Sequence, residues 1–201
     1  MTVTQFENGY WYATELKDFA KTIGVPNFNK LRKDELETSI KIFLTTGKSK
    51  NPTKRKLSKT GMTDIERGLA PDLPVVNYIS NKVTKAFLVG EALKIAPGLK
   101  RKSGARYRLN RWREEQLTAG RKITYRDLVN KYIELNQTEG RFAQAPTGRY
   151  INFLSDFLAA EKQATREEAI AAWKELKGLD RPKNYREWRK HKIGSKRSDH
   201  E

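Results

Sequence analysis

The sequence predicts an all-α fold, in which a small N-terminal helix-extended-helix unit precedes a basic linker and a helical C-terminal domain with two similar helix pairs. Apolar residues recur at the spacing of one helix face, and capping-box patterns precede two of these stripes. A stretch rich in Ser, Thr, Gly and Pro divides the chain. The predicted boundaries are 1–46 for the N-terminal module, 47–74 for the linker, 75–180 for the helical domain and 181–201 for a basic tail.

The N-terminal module is predicted to contain two short helices joined by an extended turn. Thr14 is the expected N-cap of the first helix and Asn29 that of the second, while Gly24 and Gly47 follow their ends. The apolar stripes are Leu16, Phe19, Ala20 and Ile23 in the first helix, and Leu36, Ile40, Phe43 and Leu44 in the second.

The linker begins with six basic residues and no acidic one between Gly47 and Gly61. Glycine, proline and small polar residues surround these charges, a composition typical of a flexible, solvated chain. We therefore expect residues 47–74 to connect two folded parts without packing on either.

The C-terminal domain is predicted to hold further helices. Ser80 can cap one, and a basic stretch from Lys100 to Arg108 precedes another. Thr124 and Thr165 open the capping boxes TYRD and TREE. A shift of 41 positions aligns residues 109–135 with residues 150–176 at five identities, which indicates two similar helix pairs; an evolutionary repeat and shared helical periodicity both explain this match. A helix-turn-helix-like use of each pair is a further alternative.

The charge of the chain favours a polyanionic partner. There are 41 Lys and Arg against 24 Asp and Glu, a formal net charge of +17, which attracts nucleic acid and opposes self-association. The chain has no apolar run of about 20 residues and no signal-like start, so we expect a cytoplasmic protein without a membrane partner. The absence of cysteine fits a reducing compartment. A monomer is expected.

The segments ELKDFAKTIGV and KLRKDELETSI resemble the helix-extended-helix SAP module, a DNA-binding unit. The resemblance implies that the turn and the basic start of the second helix approach the nucleic-acid backbone through Lys30, Arg32 and Lys33. The turn is about two residues longer than the usual SAP turn, and LRKDEL is closer to the related unit at the N-terminus of the transcription terminator Rho, which leaves RNA as an alternative ligand. The segments SNKVTKAFL and RKITYRDLVNKYIEL resemble parts of bacterial proteins that carry a SAP-like unit, which implies a nucleoid-associated protein in a bacterium.

The predicted nucleic-acid contacts are basic side chains in the module, the linker and the stretch that begins near residue 100. They are Lys30, Arg32, Lys33, Lys48, Lys50, Lys54, Arg55, Lys56, Lys100, Arg101, Lys102, Arg106, Arg108 and Arg111. Trp188, within NYREWRKHK, is a candidate for stacking on an unpaired base. Two alternatives remain: the charges of the module are only solvated helix-start residues, or the chain is an adaptor whose LEM-like module binds protein.

Catalysis is not expected. His191 and His200 are the only histidines, and both lie in the predicted tail, where nothing holds them against a substrate. The chain also lacks a glycine-rich phosphate-binding loop. We therefore predict a non-enzymatic protein without cofactor or metal.

Overall fold

The computed structural model describes residues 1–55 and 60–198 and confirms the all-α prediction. Its helices are α1 (Val3–Asn8), α2 (Ala13–Thr22), α3 (Lys33–Thr46), α4 (Lys82–Ile95), α5 (Ala105–Thr118), α6 (Tyr125–Gln137), α7 (Arg149–Ala160), α8 (Arg166–Gly178) and α9 (Tyr185–Ser198). A 3-10 helix, Phe28–Lys30, precedes α3. Within the described ranges, no helix combines the length and apolar character needed to cross a bilayer.

The chain forms two compact units. Unit 1 consists of residues 1–53 and 143–201, and unit 2 consists of residues 54–142. This division differs from the predicted succession of module, linker, helical domain and tail. Sequence periodicity reports local helix formation only, whereas unit 1 depends on contacts between chain segments that lie far apart in sequence.

Unit 1 packs the N-terminal module with the last three helices. α2 packs on α3, and α7 packs on α8 and α9. The ring centroid of Tyr10 lies 4.9 Å from that of Trp173 on α8, in an edge-to-face arrangement. Arg149 at the start of α7 donates to the Gly9 carbonyl at 2.6 Å and lies 3.7 Å from the carboxylate of Glu37 on α3. These contacts fix both ends of the described chain in one unit.

Unit 2 is a three-helix arrangement in which α6 packs on both α4 and α5. Its core is centred on Tyr125, Leu128 and Val129 of α6, which are almost completely buried. The segment before α4 also packs on this core, because Val75 donates to the Ile123 carbonyl and Tyr125 donates to the Leu73 carbonyl.

Residues 60–74 belong to the fold of unit 2 and are not part of a solvated linker. The carboxylate of Asp64 is completely buried and accepts hydrogen bonds from the backbone amides of Val76 at 3.1 Å and Asn77 at 2.7 Å. The Tyr125 hydroxyl also donates to it, at 3.2 Å. A buried carboxylate requires such donors, and composition alone gives no sign of them.

The predicted caps agree with the structure where a Thr starts the helix. The backbone amides of Thr124 and Thr165 donate to the carboxylates of Asp127 and Glu168, and the amides of those acidic residues donate back to the Thr hydroxyls, as expected for a capping box. A shift of α6 by 41 positions gives the bounds of α8, and α5 packs on α6 as α7 packs on α8, so the two predicted helix pairs are present.

Three predicted caps are wrong. α2 begins after Tyr12 and not after Thr14, α3 begins after Arg32 and not after Asn29, and α4 begins after Asn81 and not after Ser80. In α2 and α3 a glutamate three residues after the cap accepts from the cap's own backbone amide, at 2.6 and 2.8 Å. Only this half of a capping box is formed, because neither the Tyr12 nor the Arg32 side chain accepts a cap hydrogen bond, yet both helices begin at these residues.

Candidate nucleic-acid interface

The connection between α2 and α3 is less extended than predicted. It contains the 3-10 helix, after which Leu31 and the cap residue Arg32 have extended backbone angles that lead into α3. Lys30 is exposed at the end of the 3-10 helix, and the Arg32 side chain is half-buried. The amide of Arg32 donates to Glu35, so a carboxylate of the protein already occupies the position next to this helix N-terminus.

Lys33 faces the interior of unit 1. Its ammonium nitrogen lies 4.8 Å from the ring centroid of Tyr10. Burial lowers the pKa of Lys33, the charge of Arg149 acts in the same direction, and Glu37 and Glu15 oppose both. The predicted phosphate contact of Lys33 would require this side chain to leave Tyr10. Its position is better suited to stabilising the unit.

The first residues of the predicted linker pack back on the module. Ser39 donates to the Lys50 carbonyl at 2.6 Å, Asn51 donates to the Pro26 carbonyl at 2.9 Å, and Thr53 donates to the Glu35 carboxylate at 2.6 Å. Residues 47–53 are therefore fixed along the turn and α3, with the side chains of Lys48 and Lys50 exposed. We call Lys30, Arg32, Lys48 and Lys50 the turn surface of unit 1.

Three of the predicted nucleic-acid contacts lie at the start of unit 2. Lys54 is exposed and Arg55 is half-exposed, while Lys56 lies outside the described residues. Unit 2 as a whole carries 20 basic and 9 acidic side chains, a net charge of +11 out of the +17 of the chain. Most of the attraction for a polyanion is therefore expected from unit 2.

Lys102 and Arg108 hold the end of unit 2 in place. Lys102 donates through its ammonium to the carbonyls of Thr138 and Gly140, just after α6, and its amide donates to Asn136 at 2.7 Å. The Phe142 ring receives both cations, with Lys102 Nζ at 4.5 Å and Arg108 Cζ at 4.1 Å from its centroid. These two predicted contacts thus have intramolecular partners that any ligand would have to replace.

An open groove lies between α4 and α5. Three basic side chains line it: Lys82 and Lys85 on α4 and Arg106 on α5. The floor is apolar and consists of Ala86, Val89 and Gly90, and none of the described residues that line the groove is acidic. This is the α4–α5 groove. Cationic side chains around a small apolar floor can donate to phosphate oxygens, and no carboxylate of the described lining competes for these donors.

Arg106 is among the contacts predicted from the sequence, whereas Lys82 and Lys85 are not. Their spacing of three residues puts them on one face of α4, which is a signal the sequence does contain. Their approach to Arg106 depends on the packing of α4 and α5 on α6, which no local pattern shows.

The remaining predicted contacts lie in or after the loop that precedes α5. Lys100 and Arg101 are exposed in that loop. Arg111 donates through Nε to the Tyr107 hydroxyl at 3.1 Å, and its Cζ atom is 5.4 Å from the centre of the Tyr107 ring. Tyr107 itself is 47% exposed.

The prediction that Trp188 stacks on a base is wrong. Trp188 is buried on α9, its ring lies 5.1 Å from that of Phe157, and its indole nitrogen donates to Glu175 at 3.1 Å. The basic residues around it indicated a tail, but Tyr185 and Trp188 are spaced to cover one side of a helix. Residues 185–198 therefore form α9 and do not extend as a tail.

The described residues contain no cluster of side chains that could hold a metal ion. His191 lies 3.7 Å from Glu175 on a helix surface, and His200 falls outside the described residues. Among the residues that the structure covers, no three acidic or histidine side chains converge on a common point.

No family model matches the chain, and no curated protein or solved structure matches it either. Any assignment of function therefore depends on the residues described above.

Proposed function

We propose that the protein is a non-enzymatic nucleic-acid-binding protein, with DNA as the first candidate ligand and RNA as the second. The observation that carries this proposal is the α4–α5 groove, an open surface lined by Lys82, Lys85 and Arg106 whose described lining residues include no acidic side chain. The groove belongs to the unit with a net charge of +11. Phosphate oxygens are the ligands that such a surface favours.

The turn surface supports a second phosphate contact. Hydrogen bonds from Ser39, Asn51 and Thr53 hold residues 47–53 on the module, so Lys48 and Lys50 lie on the same unit as the turn residues Lys30 and Arg32. This arrangement suits the proposed SAP-like role of the module, with Arg32 and Lys30 near the backbone and Lys33 used for packing.

Binding is proposed to be weakly sequence-specific. The basic side chains are placed to meet phosphates, and phosphate contacts carry no direct sequence information. The high positive charge also supports a monomer. The cysteine-free composition supports a cytoplasmic location, which would be nucleoid-associated if the protein is bacterial.

The salt dependence of binding tests the groove. Fluorescence anisotropy with labelled duplex DNA, single-stranded DNA and RNA would be measured across a range of salt. Replacing Lys82, Lys85 and Arg106 with Gln removes three cations. The slope of the logarithm of the duplex-DNA binding constant against the logarithm of salt concentration should therefore become shallower by roughly 2 to 3.

A matched control removes the same charge elsewhere. Lys94, Lys131 and Lys190 are each paired with a glutamate three residues away, and their replacement by Gln should leave the slope nearly unchanged. An equal loss of slope in both triple variants would show that only total charge matters, and would contradict a role for the groove.

A protein-binding adaptor is the competing function. One observation favours it: α4 leaves Val83, Leu93 and Ile95 more than 40% exposed, an unusual amount of apolar surface on one helix. Failure of the wild-type protein to bind any of the three nucleic acids, even at low salt, would favour the adaptor.

A further inference from the structure

Aromatic side chains that remain exposed are uncommon in the described part of this chain. The large hydrophobic residues with exposed side chains include two tyrosines, Tyr12 and Tyr107. Tyr12 already has partners in unit 1, since its ring lies 5.3 Å from that of Tyr10 and 4.6 Å from the ammonium of Lys177. Tyr107 is 47% exposed, and it contacts Arg111 on the same helix.

The position of Tyr107 on α5 explains why the core cannot take it. Ala105 and Leu109, two residues to either side, are buried against α6, so Tyr107 points away from the core on the opposite face of the helix. An aromatic ring is a costly side chain to leave in water.

Arg111 holds the Tyr107 ring in a defined orientation. It lies one turn later on the same face, donates to the hydroxyl at 3.1 Å, and puts its guanidinium carbon 5.4 Å from the ring centroid. A ring fixed in this way loses little freedom when a second planar group stacks on it, and the guanidinium supplies a positive charge beside the same place.

Basic residues close to Tyr107 in sequence supply the cations that strand binding requires. Lys100 and Arg101 are exposed in the loop just before α5, and Arg106, the next residue to Tyr107, lines the α4–α5 groove. Proteins that hold single strands combine cations along the backbone with an aromatic ring for a base.

Resting on the proposed nucleic-acid-binding function, we propose that Tyr107 is a stacking platform for an unpaired base and that unit 2 therefore binds single-stranded nucleic acid in preference to duplex. The cations around it contact the phosphates of the strand. A paired base cannot reach the ring, because both of its faces are already stacked within the duplex.

The probes are a short fluorescein-labelled oligothymidine and its duplex with oligoadenine, and the proteins are the full-length wild type, Tyr107→Ala and Tyr107→Phe. The wild type is expected to bind the single strand more tightly than the duplex. Tyr107→Ala should weaken single-strand binding by roughly 5- to 150-fold, the range for loss of one stacked base, and leave the duplex affinity within about twofold. Tyr107→Phe keeps the ring but loses the hydroxyl that accepts from Arg111, so it should bind the single strand more tightly than Tyr107→Ala and somewhat more weakly than the wild type.

The salt slope separates stacking from charge. Tyr107→Ala removes no charge, so its slope on oligothymidine should equal that of the wild type, whereas Arg111→Gln should lower it by roughly 0.7. Circular dichroism of each variant verifies the helical fold, which an exposed position should not affect.

The possible failures differ from one another. If the wild type binds duplex at least as tightly as the single strand, or if Tyr107→Ala binds oligothymidine as the wild type does, the stacking role is refuted while the proposed function stands. If the wild type binds neither probe at low salt, the proposed function fails, and the stacking role with it.

Discussion

Replacing Asp64 with alanine should strongly destabilise unit 2. The Asp64 carboxylate has no exposed surface and accepts hydrogen bonds from the Val76 amide, the Asn77 amide and the Tyr125 hydroxyl. The substitution removes the acceptor for all three donors at once. If residues 60–74 were a solvated linker, the same substitution would have almost no effect.

The magnitude follows from these three bonds. A hydrogen bond to a charged acceptor contributes roughly 1.5–3 kcal/mol, so three would give about 5–9 kcal/mol. Folding also removes a carboxylate from water, and the variant no longer bears that cost. We therefore expect a loss of about 3–5 kcal/mol for Asp64→Ala, and of about 2 kcal/mol for Tyr125→Phe, which removes one of the three bonds.

Native-state hydrogen exchange is the appropriate assay, because a chain with two compact units need not unfold in one step. The slowest amides of α6 should exchange roughly 10² to 10⁴ times faster in Asp64→Ala. The control is Asp72→Ala, in the same segment, which removes a solvent-exposed ion pair with Arg126 at 2.9 Å and should cost less than about 1 kcal/mol. Equal exchange rates in the two variants would refute the structural role of Asp64.

Two further predictions concern α9. Trp188→Ala should destabilise unit 1 by about 3–5 kcal/mol, because removal of the buried indole leaves a cavity, and native-state hydrogen exchange of the α7 amides should show it. Ile193→Ala, on the exposed side of α9, should cost less than about 0.5 kcal/mol in the same assay. Similar costs for both variants would mean that α9 does not pack through Trp188. Burial opposes the charge of Glu175, but hydrogen bonds from Lys192 and Trp188 outweigh it and lower its pKa below the ordinary 4.5. This carboxylate therefore stabilises the fold above pH 4.5, its contribution is lost as pH falls through the lowered pKa, and Glu175→Gln should reduce the acid sensitivity of unfolding; an unchanged pH profile would contradict this.

Local chemistry was predictable from the sequence. Thr124 and Thr165 start helices because the capping box lies within four consecutive residues, and such a pattern is readable without knowledge of the fold. The start of α3 was not predictable in this way. Asn29 is the better cap by residue type, but the Glu35 carboxylate accepts from the Arg32 amide and the helix begins after Arg32. Cap preference by residue type is a weak guide where a later glutamate accepts from the backbone amide of a different residue.

The candidate site was predictable only in part. Arg106 lies in an obvious basic stretch, but its partners Lys82 and Lys85 are separated from it by a whole helix and loop. The composition of its neighbours predicts that Lys50 belongs to a flexible linker. The hydrogen bond that the Ser39 hydroxyl donates to the Lys50 carbonyl joins residues eleven positions apart, and composition does not indicate it. Contacts of this kind arise from tertiary packing, which periodicity does not encode.

The composition of unit 1 has a consequence for how the protein is made. Its first 53 residues leave the ribosome long before residues 143 onward, whereas unit 2 is complete as soon as residue 142 has emerged. Unit 2 can thus fold during synthesis, before Trp173 and Arg149, the contact partners of Tyr10 and Gly9, have been translated. Contacts over such a large sequence separation slow folding. The N-terminal module should therefore acquire its final structure after unit 2, although it is translated before unit 2.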